Sequence, residues 1–155
     1  MRLRPEEEIS LNHILAPIKN DKRVQNMKKY IQHGRITTFD HVESVTRLSY
    51  WINRRFHIGA DERVLTIGAF LHDYYLYDWH DARLFVNVFK MHGFTHPEKA
   101  RENAVRDFAV DEKVQKVIRC HMWPLTFRSF PSSREAFIVC MADKICALKE
   151  TVARW

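Results

Sequence analysis

Apolar residues in this chain recur at every third or fourth position rather than every second, and only four glycines and five prolines interrupt its 155 residues. Such spacing gives each segment one apolar stripe at helical period and gives no segment the alternating face of a strand, so the expected fold is an all-α bundle of about seven helices. A chain of this length closes one core, since domains commonly run about 100 to 200 residues. We read it as a single domain, 1–155, with cap helices over 1–36 and a helical core over 37–155.

Caps and breakers divide the chain. A first helix is expected from Glu6 to Ala16, ended by Pro17, and a second from Asp21, an N-cap, to Gln32, with Gly34 as its stop. Thr37 or Thr38 caps a longer helix through Phe56, whose stripe of Val42, Val45, Leu48, Ser49 and Ile52 turns His41 inward near the start. Asp61 opens the next, where Val64, Leu65, Ile67, Ala69, Phe70 and Leu71 are too apolar all round for a surface element. This is the expected central helix, and it ends in His72-Asp73.

Beyond it, an aromatic-rich stretch reads as a loop and a short helix from Asp81 to Met91. Pro97 then fits the first position of a helix to Phe108, with His96 at or beside its N-cap. Asp111 caps a helix to His121, which Pro124 terminates, and Ser132 or Ser133 opens a last helix that carries Phe137, Ile138, Cys140, Met141, Asp143, Ile145, Ala147 and Leu148. Strands are not expected.

Composition narrows the function classes. The 46% apolar and 28% charged content is that of a globular protein, and no run approaches the roughly 18 apolar residues of a membrane span. The start, Met1 to Glu8, has no apolar stretch of the kind a signal peptide carries, so a cytoplasmic protein is expected. Cys120, Cys140 and Cys146 form no C-x-x-C pair and read as reduced thiols in or near the core. A formal charge of +6 favours phosphate-bearing ligands but is spread without basic blocks, so a specific nucleic-acid partner is not expected.

The chemistry lies in a scattered set: His41, His72-Asp73, His96, His121 and Asp143, roughly one ligand-type residue for each helix and turn. Taken singly, a histidine is more often a core or surface residue than a ligand. Here His41, His72, Asp73 and Asp143 each sit in or beside a strongly apolar helix, where an unpaired carboxylate or imidazole costs several kcal/mol. A shared cation compensates them together. Nitrogen and oxygen donors of this kind suit Fe, Mn, Ni, Co or Zn better than Ca or Mg.

With the strings FLHD at 70–73 and MADK at 141–144, this set resembles the HD-domain superfamily of metal-dependent phosphohydrolases, over about residues 37 to 148. The resemblance implies an all-helical fold in which His41, His72, Asp73 and Asp143 bind one divalent transition metal. His96 and His121 resemble the expanded pattern H…HD…H…H…D of binuclear members, which implies a second metal and a bridging role for Asp73. The implied activity is hydrolysis of a phosphoester, in a nucleotide or another small phosphorylated substrate, by a metal-bound hydroxide. Asp73, Lys144 and His80 are the expected catalytic residues, with Lys99, Arg119 and Arg128 as candidate substrate contacts.

Two other readings share these residues: a mixed-valent di-iron oxygenase of the same fold, and a binding module whose metal is structural or whose site senses a nucleotide. Several binuclear relatives, among them cyclic-dinucleotide phosphodiesterases and the mixed-valent di-iron oxygenases, carry a lysine three residues after the HD aspartate. Leu76 stands there in this chain, which argues against a cyclic-dinucleotide substrate. His33 is ambiguous, whereas His13, His57 and His92 read as surface residues. Tyr74, Tyr75, Tyr77, Trp79 and Trp123 suit either the core or a face on which a nucleobase stacks. The N-terminal helices are free to cap the core or to form a homodimer contact.

Overall fold

The computed structural model describes residues 2–77 and 85–152, with backbone alone at 33 and 85–94. Its elements are α1 (Pro5–Lys19), α2 (Lys22–Gln25), a 3-10 turn (Asn26–Lys29), the strands β1 (Ile31–His33) and β2 (Ile36–Thr37), α3 (Thr38–Arg55), α4 (Glu62–Leu71), α5 (Phe85–Phe108), α6 (Glu112–Cys120) and α7 (Arg134–Val152). The fold is an all-α bundle. No helix among the described residues is long and apolar enough to cross a membrane.

The expected caps hold where a side chain can bond the first turn. Thr37 Oγ1 accepts from the Asp40 amide while Asp40 reaches back to the Thr37 amide, a reciprocal box that satisfies two otherwise orphaned donors. Asp21, Asp61 and Asp111 cap α2, α4 and α6 in the simpler way, each accepting from backbone amides of the first turn. Every residue of α4 from Val64 to Leu71 is buried, and α4 packs against α1, α3, α5, α6 and α7. It is the central helix that its uniform apolarity demanded.

Close approach sets the geometry of two helices. A Cβ built on Gly68 of α4 would lie 2.6 Å from Val117 Cγ1 of α6, so only glycine lets these helices meet so closely. Both end at a histidine: His72 is the C-cap of α4 and His121 the C-cap of α6.

Four expectations are corrected. Pro17 lies inside α1, which continues to Lys19 because one further turn buries Ile18. Pro97 likewise lies inside α5, which runs unbroken from Phe85 and so merges the described part of the short helix expected at Asp81 to Met91 with the helix expected from Pro97, and His96 is a mid-helix residue rather than an N-cap. An interior proline costs about 3 kcal/mol, which the burial of His96, Pro97, Ala100, Asn103 and Ala104 along one face offsets. The second helix stops at Gln25, and the 3-10 turn and a β-hairpin follow it. Gly34, at φ +63°, makes the hairpin turn instead of stopping a helix. Strands this short show no alternation, so the hairpin left no period in the sequence.

Candidate metal centre

The six histidine and aspartate side chains come from five helices or helix ends and meet inside the bundle. His41 is fixed in the first turn of α3 by the Thr37 cap, and its neighbours Val42 and Val45 are fully buried. His72 and Asp73 leave the end of α4, His121 leaves the end of α6, His96 comes from α5, and Asp143 comes from the buried face of α7. All six are buried, with His41 and His72 at 0% exposure.

The two oxygens of Asp73 divide the cluster. Oδ2 lies 3.5 Å from His72 Nε2 and 3.8 Å from His41 Nε2. Oδ1 lies 3.3 Å from His96 Nε2 and 3.5 Å from His121 Nε2. Asp143 Oδ1 sits 3.1 Å from His41 Nε2 and 3.6 Å from His72 Nε2. Three triplets are compact enough to hold an ion, with ligand atoms within 4.8 Å of one another: His41, His72 and Asp73; His72, His121 and Asp143; and Asp73, His96 and His121.

The imidazoles are oriented from behind. His72 Nδ1 is 2.7 Å from the Ala69 carbonyl, and His121 Nδ1 is 2.7 Å from the Ile118 carbonyl, the same three-residue reach back into the last turn of each helix. A carbonyl only accepts, so both rings carry their proton on Nδ1 and turn an Nε2 lone pair into the cluster. His41 Nδ1 bonds Glu150 Oε2 at 2.8 Å, so a carboxylate does for His41 what the carbonyls do for the others. The C-terminal ends of α4 and α6 also bring a partial negative charge, roughly half an elementary charge each, towards the same point.

Buried polar atoms lack partners here. His72 Nε2 and Asp73 Oδ1 are buried without a hydrogen bond, and His96 Nε2 and His121 Nε2 approach to 2.8 Å, where only one of them can carry a proton. A cation amid these lone pairs satisfies all of them, so the donor set fits a divalent transition metal.

Without one, protons do part of that work. Burial opposes charge on His41, but hydrogen bonds to Asp143 and Glu150 and the nearby carboxylate charges outweigh it and raise the ring from 6.5 to about 10. Burial also opposes charge on His72, and the Asp73 and Asp143 carboxylates nonetheless raise it. For His121 burial prevails, with the neighbouring imidazoles, and the ring is lowered. Burial would raise the Asp73 carboxyl, yet His72, His121 and His96 hold it well below the ordinary range. Asp143 is held low against burial by His41 and His72.

Other expected site residues are placed differently. Lys144 Nζ donates to the His121 carbonyl at 2.9 Å and to the Cys140 carbonyl at 3.3 Å, so its ammonium supports the end of α6. Lys99 pairs with Glu102 and Arg119 with Glu98, both exposed on the surface, and Arg128 is also exposed. His80 and Trp79 lie outside the described residues. Tyr74 is a core residue bonded to Asp107, and Trp123 stacks edge-on against Phe130. Leu76, at φ +60°, packs against the core. His13 and His57 are exposed, and the three cysteines are free and buried.

Sequence reasoning missed Glu150 and Gln32. Glu150 follows Asp143 by two helical turns on one face, a spacing that could have singled it out. Gln32 carries no such signal; it reaches Asp73 Oδ2 at 2.6 Å from the short hairpin.

No curated protein and no solved structure gave a significant match to the chain. The model of the HD domain matches residues 38–148, a span that holds all six converging side chains, and the chain therefore belongs to the HD-domain family, whose members are generally metal-dependent phosphohydrolases.

Proposed function

We propose that this protein is a binuclear metal-dependent phosphohydrolase acting on a nucleotide-like or other small phosphorylated substrate. The observation that carries this reading is the division of Asp73, one oxygen towards His41 and His72 and the other towards His96 and His121. A carboxylate so placed serves two ions at once. His41, His72, Asp73 and Asp143 would hold the first ion, and Asp73, His96 and His121 the second.

Bound there, two cations supply an activated water and neutralise phosphoryl oxygens during in-line displacement. The chain's own residues provide the rest. The ring supports at Ala69, Ile118 and Glu150 orient three of the four imidazoles, those of His72, His121 and His41, with Nε2 turned into the cluster. Burial of all six side chains keeps bulk water from competing for them. Lys144 contributes through His121, whose carbonyl it holds. Leu76 puts an apolar side chain where cyclic-dinucleotide enzymes use a lysine, which favours a simpler phosphoester.

Hydrolysis of a panel of nucleotides and small phosphomonoesters and phosphodiesters, read by product chromatography, tests the proposal, with protein loaded in turn with Mn, Fe, Co, Ni and Zn. Metal-dependent turnover that Asp73→Ala abolishes is the expected result. Two bound ions with no phosphoester of the panel hydrolysed, or oxygen consumption in its place, would overturn it.

A further inference from the structure

Gln32 lies outside the span that matches the family, on β1 of the N-terminal hairpin, and is 8% exposed. Its amide has one available orientation. Asp73 is an ionised carboxylate and only accepts, so the end of the amide that faces it is Nε2, which donates to Oδ2 at 2.6 Å. Oε1 is then the acceptor end, taking the Tyr75 hydroxyl and Thr38 Oγ1 at 3.2 Å. Thr38 is further tied to the Tyr30 carbonyl through its backbone amide, at 2.8 Å. Three segments thus meet behind one carboxylate oxygen: the hairpin, the start of α3 and the turn after α4.

A carboxylate has a choice that an imidazole lacks. It can chelate one ion with both oxygens or give one oxygen to each of two ions, and rotation about its last torsion, which is broad, interconverts the two. A donor fixed on Oδ2 occupies one lone pair there and sets the carboxylate plane. Oδ1 is left facing His96 and His121, with no hydrogen-bond partner of its own.

We infer that Gln32 is the positioning residue that keeps Asp73 in its bridging orientation, so that the N-terminal hairpin decides whether the centre holds a second ion. The inference rests on the binuclear reading above. It assigns the hairpin a part in the chemistry of the site beyond covering the bundle.

Gln32→Met keeps the side chain's length and removes both the donor and the acceptor. Its metal content should fall from two ions to one, with affinity at the His96 and His121 position about 10- to 100-fold weaker, as is usual when a hydrogen-bond partner of a ligand is lost. Affinity at the His41 position should stay within a few-fold. In Mn-loaded protein the spin-coupled pair signal should give way to that of an isolated ion, a change that general loosening of the fold would not produce selectively. Tyr75→Phe leaves Gln32 in place with one support fewer, and should move both readouts the same way by a smaller amount.

A single ion in the unaltered protein removes the binuclear reading and this inference with it. Two ions in the unaltered protein, with the coupled signal intact in Gln32→Met, removes this inference alone. Equal weakening of both positions in that variant also overturns it, since Gln32 would then be a general packing residue.

Discussion

The two halves of the centre share Asp73 and differ in almost everything else. On the His41 side two carboxylates face two imidazoles, Glu150 stands behind His41, and Gln32 stands behind the shared oxygen. On the His96 side one carboxylate oxygen meets two imidazoles, and the ring support established there is the Ile118 carbonyl behind His121. The first half is the more anionic. It should hold its cation more tightly, because Coulomb attraction inside a buried site is weakly screened. On the binuclear reading, the second half should be the one to lose or exchange its ion more readily.

The largest effect expected is that of Asp73→Ala, which removes the shared ligand and should empty both positions while the helices remain formed. Elemental analysis with circular dichroism checks this, and full metal content in that variant would refute the bridging role. His96→Ala and His121→Ala should lose chiefly the second ion. If either emptied the His41 side as well, the two halves would not be separable.

Next is Glu150→Ala, expected to weaken binding on the His41 side by about 10- to 100-fold and the other side little. Glu150→Gln retains an acceptor for His41 Nδ1 and should recover part of that loss. Equal affinity in all three proteins, measured by competition with a chelator, would mean that Glu150 does not support the ligand.

A pH dependence sharpens the comparison further. His41 has its proton held to about pH 10 in the folded, metal-free protein against 6.5 when unperturbed, so its contribution to stability is complete below pH 6.5 and is lost as pH rises towards 10. The depressed Asp73 and Asp143 carboxyls contribute above their ordinary 3.8 and lose that contribution as pH falls. Metal-free protein should therefore lose stability as pH rises from 6.5 towards 10, its melting temperature falling through the alkaline range, while the lowered His121 works the other way below 6.5. Metal takes the place of the His41 proton, so loaded protein should not show the alkaline fall. Parallel melting curves for the two forms would contradict the placement of His41.

Gly68→Ala should give the smallest change, about 1 to 3 kcal/mol of lost stability from the collision with Val117. It would also separate the ends of α4 and α6, and so weaken both halves modestly. Denaturant unfolding measures the first effect and metal titration the second.

What was legible in the sequence follows from what leaves a local mark. The central helix showed because α4 is apolar on every side, and the six converging residues showed because most of them interrupt apolar runs. Pro17 and Pro97 were misread because the local cost of an interior proline is visible in sequence, while the tertiary burial that offsets it at Ile18 and along α5 is not. Gln32 was invisible for a related reason: one glutamine in a three-residue strand has no period, and its meaning depends on a carboxylate 41 residues away.

The most direct test of the division within the centre is stepwise metal loading, followed by anomalous scattering from crystals at one and at two equivalents. The expected result is that the first ion occupies the position of His41, His72, Asp73 and Asp143, and the second that of Asp73, His96 and His121 with lower affinity. A first ion found between His96 and His121, or a chain that never takes up a second, would contradict it.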